Sequence, residues 1–305
     1  VLAAIGFILL SAQLPTAKPK QAVGTAFTDG TLTTDIVREV AAVPGFVVMP
    51  IDAEGGCASY RHMLGPPESV FGLGLRPRSA IYGCEALQLA TAPGYEDIEY
   101  REYFRYWHGA SAVSKIALTY VSVRTWHTIL TVALLGLVLT LVLSMKRYSL
   151  TLALGSLIVL MLVTDIPWQG LVPLHGVSTA IALSFALLAL TAFEHRWNVR
   201  WGVVALGGAL YAMSAHTLTP TAFAIFTAIC AMTPLLAQDA AHRNLLWQRG
   251  FLVGVTWMCG YVIGTGSRAV WVAAFGPGDG RELGEWSGTS TGYVTRSLID
   301  PLFQT

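Results

Sequence analysis

Thr125–Met145 reads TWHTILTVALLGLVLTLVLSM, and the nature of this stretch decides the fold. Its polar side chains are confined to the start (Thr125, His127, Thr128), to Thr131 and Thr140, and to the closing Ser144; Lys146 and Arg147 follow at once. About twenty residues at 1.5 Å rise span roughly 30 Å, the depth of a bilayer's hydrocarbon core. A helix that is apolar on every face leaves no side for water. The stretch reads as a transmembrane span, and the rest of the chain is placed by its direction.

Composition agrees with that reading. Of the 305 residues, 54% are hydrophobic and only 12% are charged, with a mean hydropathy of +0.57. Soluble domains carry about 25% charged residues. The formal net charge of +1 gives no global field that would draw in nucleic acid. Charge is unevenly spread, with eleven of the eighteen acids before Thr125. The chain opens at Val1 already inside an apolar run and stops at Thr305, so both ends are expected to be truncated.

The expected architecture is an all-α polytopic membrane protein with about seven transmembrane helices and a large extracytoplasmic first loop. Residues 1–14 are expected to be the end of a first transmembrane helix; the rival reading is a signal-peptide core. Residues 15–124 form the extracytoplasmic loop. Within it Thr34–Val43 reads as a short helix stopped by Pro44-Gly45, Phe46–Met49 as a strand, and Gly109–Val123 as a helix along the membrane surface. Residues 125–275 form a six-span bundle: Thr125–Met145, Leu150–Ile166, Val177–Phe193, Trp201–Ala215, Pro220–Ala237 and Phe251–Phe275. Residues 276–305 are an extracytoplasmic tail. The short connectors test the direction. Lys146, Arg147, Arg196, Arg200, Arg243 and Arg249 fall on one side, and the connectors Pro167–His175 and His216–Thr219 hold no Lys or Arg. That is the positive-inside pattern, and it puts residues 15–124 outside the cytoplasm. Trp168, Trp197, Trp201, Trp247 and Trp271 lie near span ends, where interfacial aromatics belong.

Cys57 and Cys84 share the exported loop, where an oxidising compartment allows a disulfide, although no spacing motif requires one. Cys230 and Cys259 fall in spans and read as small core residues.

Several side chains are candidates for chemistry. Asp29 and Asp35, in FTDGTLTTDIVREV, are each suited to act as an extracytoplasmic general base or metal ligand; the plainer reading has Asp35 charging a helix N-terminus. In YREYFRYWHG, Tyr100–Gly109, Arg101 and Arg105 suit a phosphate or carboxylate, Tyr106 and Trp107 suit a sugar face or lipid headgroups, and His108 suits proton transfer. The plainer reading is an aromatic belt with snorkelling arginines. Ionisable groups at membrane depth face a cavity or a partner. Asp165, His175 and His216 fall near the outer interface, whereas Arg268 lies between two apolar stretches. It is read either as an anion-binding group or as an interfacial residue set at the surface by a helix break at Gly264–Gly266. No Walker loop, GxGxxG or HExxH is present, so ATP-driven pumping and an HExxH-type soluble hydrolase have no support in the sequence.

RYWHG at Arg105–Gly109, SAHTLTP at Ser214–Pro220, GYVIGTGSRAVW at Gly260–Trp271 and the early TDGTLTTD segment carry a likeness. Together they resemble uncharacterised bacterial polytopic membrane proteins whose layout is similar to that of GT-C glycosyltransferases. The likeness covers most of the chain in layout and about thirty residues in motif. Two positions depart from it: His216 stands where that group often has an acid, and Arg268 where it tends to have Lys. The resemblance implies a bacterial inner-membrane enzyme that moves a sugar from a polyprenyl-phosphate donor on the extracytoplasmic face. Asp35 or Asp29 would then be the base or hold a divalent metal ion, the one cofactor implied. His108 is a further catalytic candidate. Arg101, Arg105, Tyr106, Trp107, His216 and Arg268 would bind substrate, and membrane lipids would be the partners. Two other classes stand beside it: a transporter or flippase of a lipid-linked or small anionic substrate, with Gly- and Pro-interrupted spans lining a path, and a non-catalytic envelope-assembly protein.

Overall fold

The computed structural model describes residues 1–34, 57, 59–61, 63–64, 84–92, 107–164, 170–214, 220–238 and 243–275, and, by backbone alone, 37–43, 46–52, 75–77 and 100–102. Helices dominate. Among the described residues the strands form two short antiparallel pairs, within residues 37–102.

Helix α1 (Leu2–Ala12) and helix α2 (Ala17–Thr28) are bent by 77° across a short break. α2 is an addition to the expected loop. Lys18, Pro19 and Lys20 hide its start from a hydropathy reading, yet Pro19 falls in the first turn, where a missing N–H costs nothing. Strand β1 (Val37–Val43) pairs with β2 (Phe46–Asp52), Val43 standing opposite Phe46 and Val37 opposite Asp52. The helix expected over Thr34–Val43 is corrected by this pairing. An isolated two-turn helix is marginal, while Val37, Val40 and Val43 suit a strand and the valine-rich Phe46–Met49 supplies a partner ladder. β3 (Leu75–Pro77) pairs with β4 (Tyr100–Glu102), and α3 (Cys84–Thr91) lies between them in sequence.

α4 (Gly109–Leu118) is a helix where one was expected along the membrane surface, but it ends five residues early and most of its residues are buried. The chain restarts at Ser122, whose hydroxyl accepts from the Thr125 amide at 3.2 Å and caps α5 (Val123–Lys146). The bundle continues with α6 (Leu150–Thr164), α7 (Pro173–Glu194), α8 (Arg200–Ser214), α9 (Pro220–Gln238) and α10 (Arg243–Phe275). α7 starts four residues before the expected Val177, with Pro173 in its first turn. α10 starts eight residues before the expected Phe251 and runs unbroken through Gly264–Gly266, so the helix break considered there does not occur.

α5 shows why this is a membrane protein. One face, with Leu130, Leu134, Val138, Leu141 and Met145, is buried against α6, α7 and α9. The opposite face, with Ile129, Val132, Leu135, Leu139 and Leu143, is exposed and equally apolar. Phe251, Leu252, Val262, Ile263 and Val270 do the same on α10. A water-soluble helix would put charge on such a face; here its solvent is hydrocarbon. α5, α7 and Leu246–Trp271 of α10 are each long and apolar enough to cross a membrane, and the bent α1–α2 pair makes a fourth if counted as one span.

α8 and α10 run parallel and cross on small residues. A Cβ on Gly260 would collide with the Ala205 carbonyl, one on Gly208 with the Trp257 carbonyl, and one on Gly264 with Ala209 and Ala212. Gly260 and Gly264 form a GxxxG pair, which lets two backbones touch where apolar side chains gain nothing by leaving lipid.

A second layer sits on one end of this bundle. Val23, Tyr60, Leu87 and the disulfide-linked Cys57 and Cys84 share a core with Trp126, Leu130, Leu174 and Val177, at the N-terminal ends of α5 and α7. Gly109 meets the last residues of α8, and Trp107 meets the C-terminal part of α10. The basic residues Lys146, Arg147, Arg196 and Arg200 lie at the other end of α5, α7 and α8.

Candidate functional site

Four helices, α1, α4, α8 and α10, converge on Trp107. The indole is 1% exposed and packs with Ile5, Ile8, Ala112 and Met213. Its Nε1–H donates to the Gly264 carbonyl at 3.2 Å and to Ser267 Oγ at 3.0 Å, and Ser267 itself donates to the Gly264 carbonyl at 2.7 Å. Two flat groups complete the setting. The Trp271 ring lies 5.9 Å away, tilted by 54°, and the Arg268 guanidinium stands 5.2 Å from the Trp107 ring centre.

Local sequence explains the placement. Ser267 and Arg268 follow Gly264 by three and four residues, so they share its helix face, and Trp271 lies one turn beyond. His108 is buried in the left-handed conformation (φ 56°), which an L-residue adopts at a cost of about 1 kcal/mol or more. That turn brings Gly109 against α8, where any Cβ would stand 2.7 Å from the Met213 carbonyl; only glycine fits. The positively charged Arg268 is thus held, 1% exposed, over an indole face in the interior, where a cation–π contact is worth more than at a surface.

The structure therefore brings together three of the residues singled out in the sequence: Trp107, His108 and Arg268. Asp29 is elsewhere. It is exposed just past the end of α2, and its Oδ1 accepts from the Thr31 amide at 2.9 Å, a turn-closing bond. The hydrogen bonds from Thr31, helped by the charge of Arg124, hold its carboxyl below the usual range, which makes it a weaker base than a free aspartate. Arg101 stands opposite Arg76 in the β3–β4 pair. Asp35, Arg105, Tyr106 and His216 lie outside the described residues. Among the described residues no three His, Cys, Asp or Glu side chains converge as a metal site requires, so no metal step is assigned.

A second polar junction was not singled out in the sequence. The buried Tyr60 hydroxyl and His127 Nε2 are 2.7 Å apart, and Ser59 Oγ accepts from the Leu174 amide at 2.8 Å, capping α7 from 115 residues away. The Cys57–Cys84 disulfide (Cα–Cα 5.3 Å) fixes this turn to α3. Lys115, one turn past Ser111 on α4, is buried and donates to the Ala12 carbonyl at 3.1 Å, closing the C-terminus of α1; burial lowers its ammonium to about 8.

No family model matches the chain, and neither the curated proteins nor the solved structures contain a match.

Proposed function

We propose that the protein is a bacterial inner-membrane enzyme of GT-C-like layout that moves a sugar from a polyprenyl-phosphate donor to a cell-envelope acceptor on the extracytoplasmic side. In this reading there are about seven spans: residues 1–14 and the six helices α5 to α10. Residues 15–124 are the exported loop and 276–305 the exported tail. The clustering of basic residues at one end of the bundle, with the disulfide in the layer at the other, supports that direction.

One observation carries the functional reading. A buried guanidinium is held over an indole at the junction of the bundle with its cap. A cation at such depth is costly and marks a functional position. Its planar fork suits phosphate oxygens, and a neighbouring aromatic suits a sugar face. Arg268 is assigned as the phosphate clamp, with Trp107 positioning it. Asp35 is the preferred base, because Asp29 is engaged in a surface turn. Arg101, Arg105, Tyr106, His108 and His216 remain substrate or proton-transfer candidates, and a divalent ion near the acids remains part of the proposal. The 77° break between α1 and α2 favours one other reading, a flippase with a broken span.

The test uses the full chain in proteoliposomes with a radiolabelled polyprenyl-phosphate sugar, a divalent cation and a cell-envelope extract as the source of acceptor hydroxyls. Wild type moves the label from the lipid phosphate to the acceptor, leaving polyprenyl phosphate. Arg268→Gln and Asp35→Asn each lower that rate by on the order of a hundredfold. Equal rates in wild type and both variants would remove the enzyme reading. Transbilayer movement of intact donor, with no covalent product, would replace it with the flippase.

A further inference from the structure

The first turn of α4 holds donors that the sugar-transfer reading leaves unused. α4 has no side-chain cap at its N-terminus. Gly109, Ala110 and Ser111 are all buried, and among the described residues no acceptor meets their N–H groups. The first bond along the backbone is from Ala112 N–H to the His108 carbonyl, at 3.0 Å. The leading N–H groups of a helix have no acceptor of their own and together present roughly half a positive charge.

An independent feature points the same way. Ser111, the third residue of that turn, is 2% exposed, and its hydroxyl meets no hydrogen-bond partner among the described residues. Cα–Cβ bonds on a helix tilt toward its N-terminus, so this hydroxyl leans toward the same end as the amides that meet no acceptor among the described residues. Buried polar groups in folded proteins have partners, and one without a protein partner calls for a ligand or ordered water. Arg268 adds the charge: it is stacked on Trp107, two residues before the helix begins. Amide donors at a helix start, a hydroxyl and a guanidinium make the donor set that a tetrahedral oxyanion fills.

We propose that the N-terminus of α4, with Ser111 and Arg268, binds the oxyanion of a phosphate monoester. The oxyanion chemistry stands on these residues alone; a lipid as its source rests on the transferase reading above.

The experiment measures radiolabelled inorganic phosphate bound to the full chain in nanodiscs by equilibrium dialysis, with and without a polyprenyl phosphate, and with polyprenol as the uncharged control. Wild type is expected to hold one phosphate. Ser111→Ala, a small change in a buried position, weakens it about tenfold, the loss of one hydrogen bond to a charged group. Arg268→Gln weakens it further. Displacement by polyprenyl phosphate but not by polyprenol identifies a lipid headgroup as the natural occupant; phosphate that polyprenyl phosphate fails to displace identifies a free anion. No bound phosphate, or full affinity in Ser111→Ala at an unchanged unfolding midpoint, overturns the proposal. Ser111-dependent binding without any sugar release keeps this site and removes the transferase. Sugar release that Ser111→Ala leaves untouched, with no phosphate held at Ser111, removes this site alone.

Discussion

Trp107 is fixed by its edge and by its faces, and substitutions separate the two. Trp107→Phe keeps a ring under Arg268 but gives up the donor to Gly264 and Ser267, at a cost of about 1 kcal/mol because Ser267 still satisfies that carbonyl. Trp107→Ala also empties the meeting point of four helices, and about 3–5 kcal/mol is expected. Unfolding midpoints in detergent should rank wild type, then Phe, then Ala; an Ala variant as stable as Phe contradicts the packing role. Lys115 gives a pH signature. Its ammonium titrates near 8 in the folded chain and at 10.5 when solvated, so the unfolded chain binds more protons between those values. Stability should therefore rise with pH from about 8 toward 10.5, and the slope should vanish in Lys115→Met. Tyr60 works in the other direction, since burial raises its phenol above 10.0 and stability falls as pH climbs past that value. A falling midpoint between pH 8 and 9.5 would contradict the burial of Lys115. Trp107 and His108 stood out in the sequence because aromatics crowd a charge in RYWHG. Tyr60 did not, because its partner His127 is 67 residues away and nothing local in GCASYRHM announces it.

At the scale of elements, the contact of α8 with α10 depends on missing side chains. Gly260→Leu or Gly208→Leu drives atoms into the opposing backbone and should separate the helices, read as loss of a monodisperse peak and of protease resistance. Gly254→Leu, on the same α10, meets nothing within 4 Å and should behave as wild type. Equal behaviour of Gly260→Leu and Gly254→Leu would contradict this crossing. The same glycines explain why one of the two alternatives for Arg268, a helix break at Gly264–Gly266, does not occur. In water Gly264-Thr-Gly266 reads as a break, but in a bilayer a free carbonyl has no solvent, so the helix continues and the glycine serves packing. β1 shows the opposite limit. Its seven residues hold the period of neither element strongly, and only the distant valine-rich partner decides between them. The bundle helices, by contrast, were legible as apolar helices to within a few residues at most ends, because hydropathy is a local property and needs no partner.

As a whole the described residues form an apolar helical bundle with a second layer packed on one end through a shared core. Hydropathy made the bundle readable. The cap was readable only at its cysteine pair, which shares one polar segment; the Ser59–Leu174 bond and the Lys115–Ala12 bond join residues 115 and 103 positions apart that nothing local links. A helix that spans a membrane puts its two ends on opposite sides, and for α5 this is read by labelling intact cells with a membrane-impermeant maleimide, in a background where Cys230 and Cys259 are replaced by Ser and the Cys57–Cys84 disulfide is kept. Asp29→Cys is predicted to label in intact cells and Lys146→Cys only after permeabilisation; labelling of both in intact cells would contradict the account.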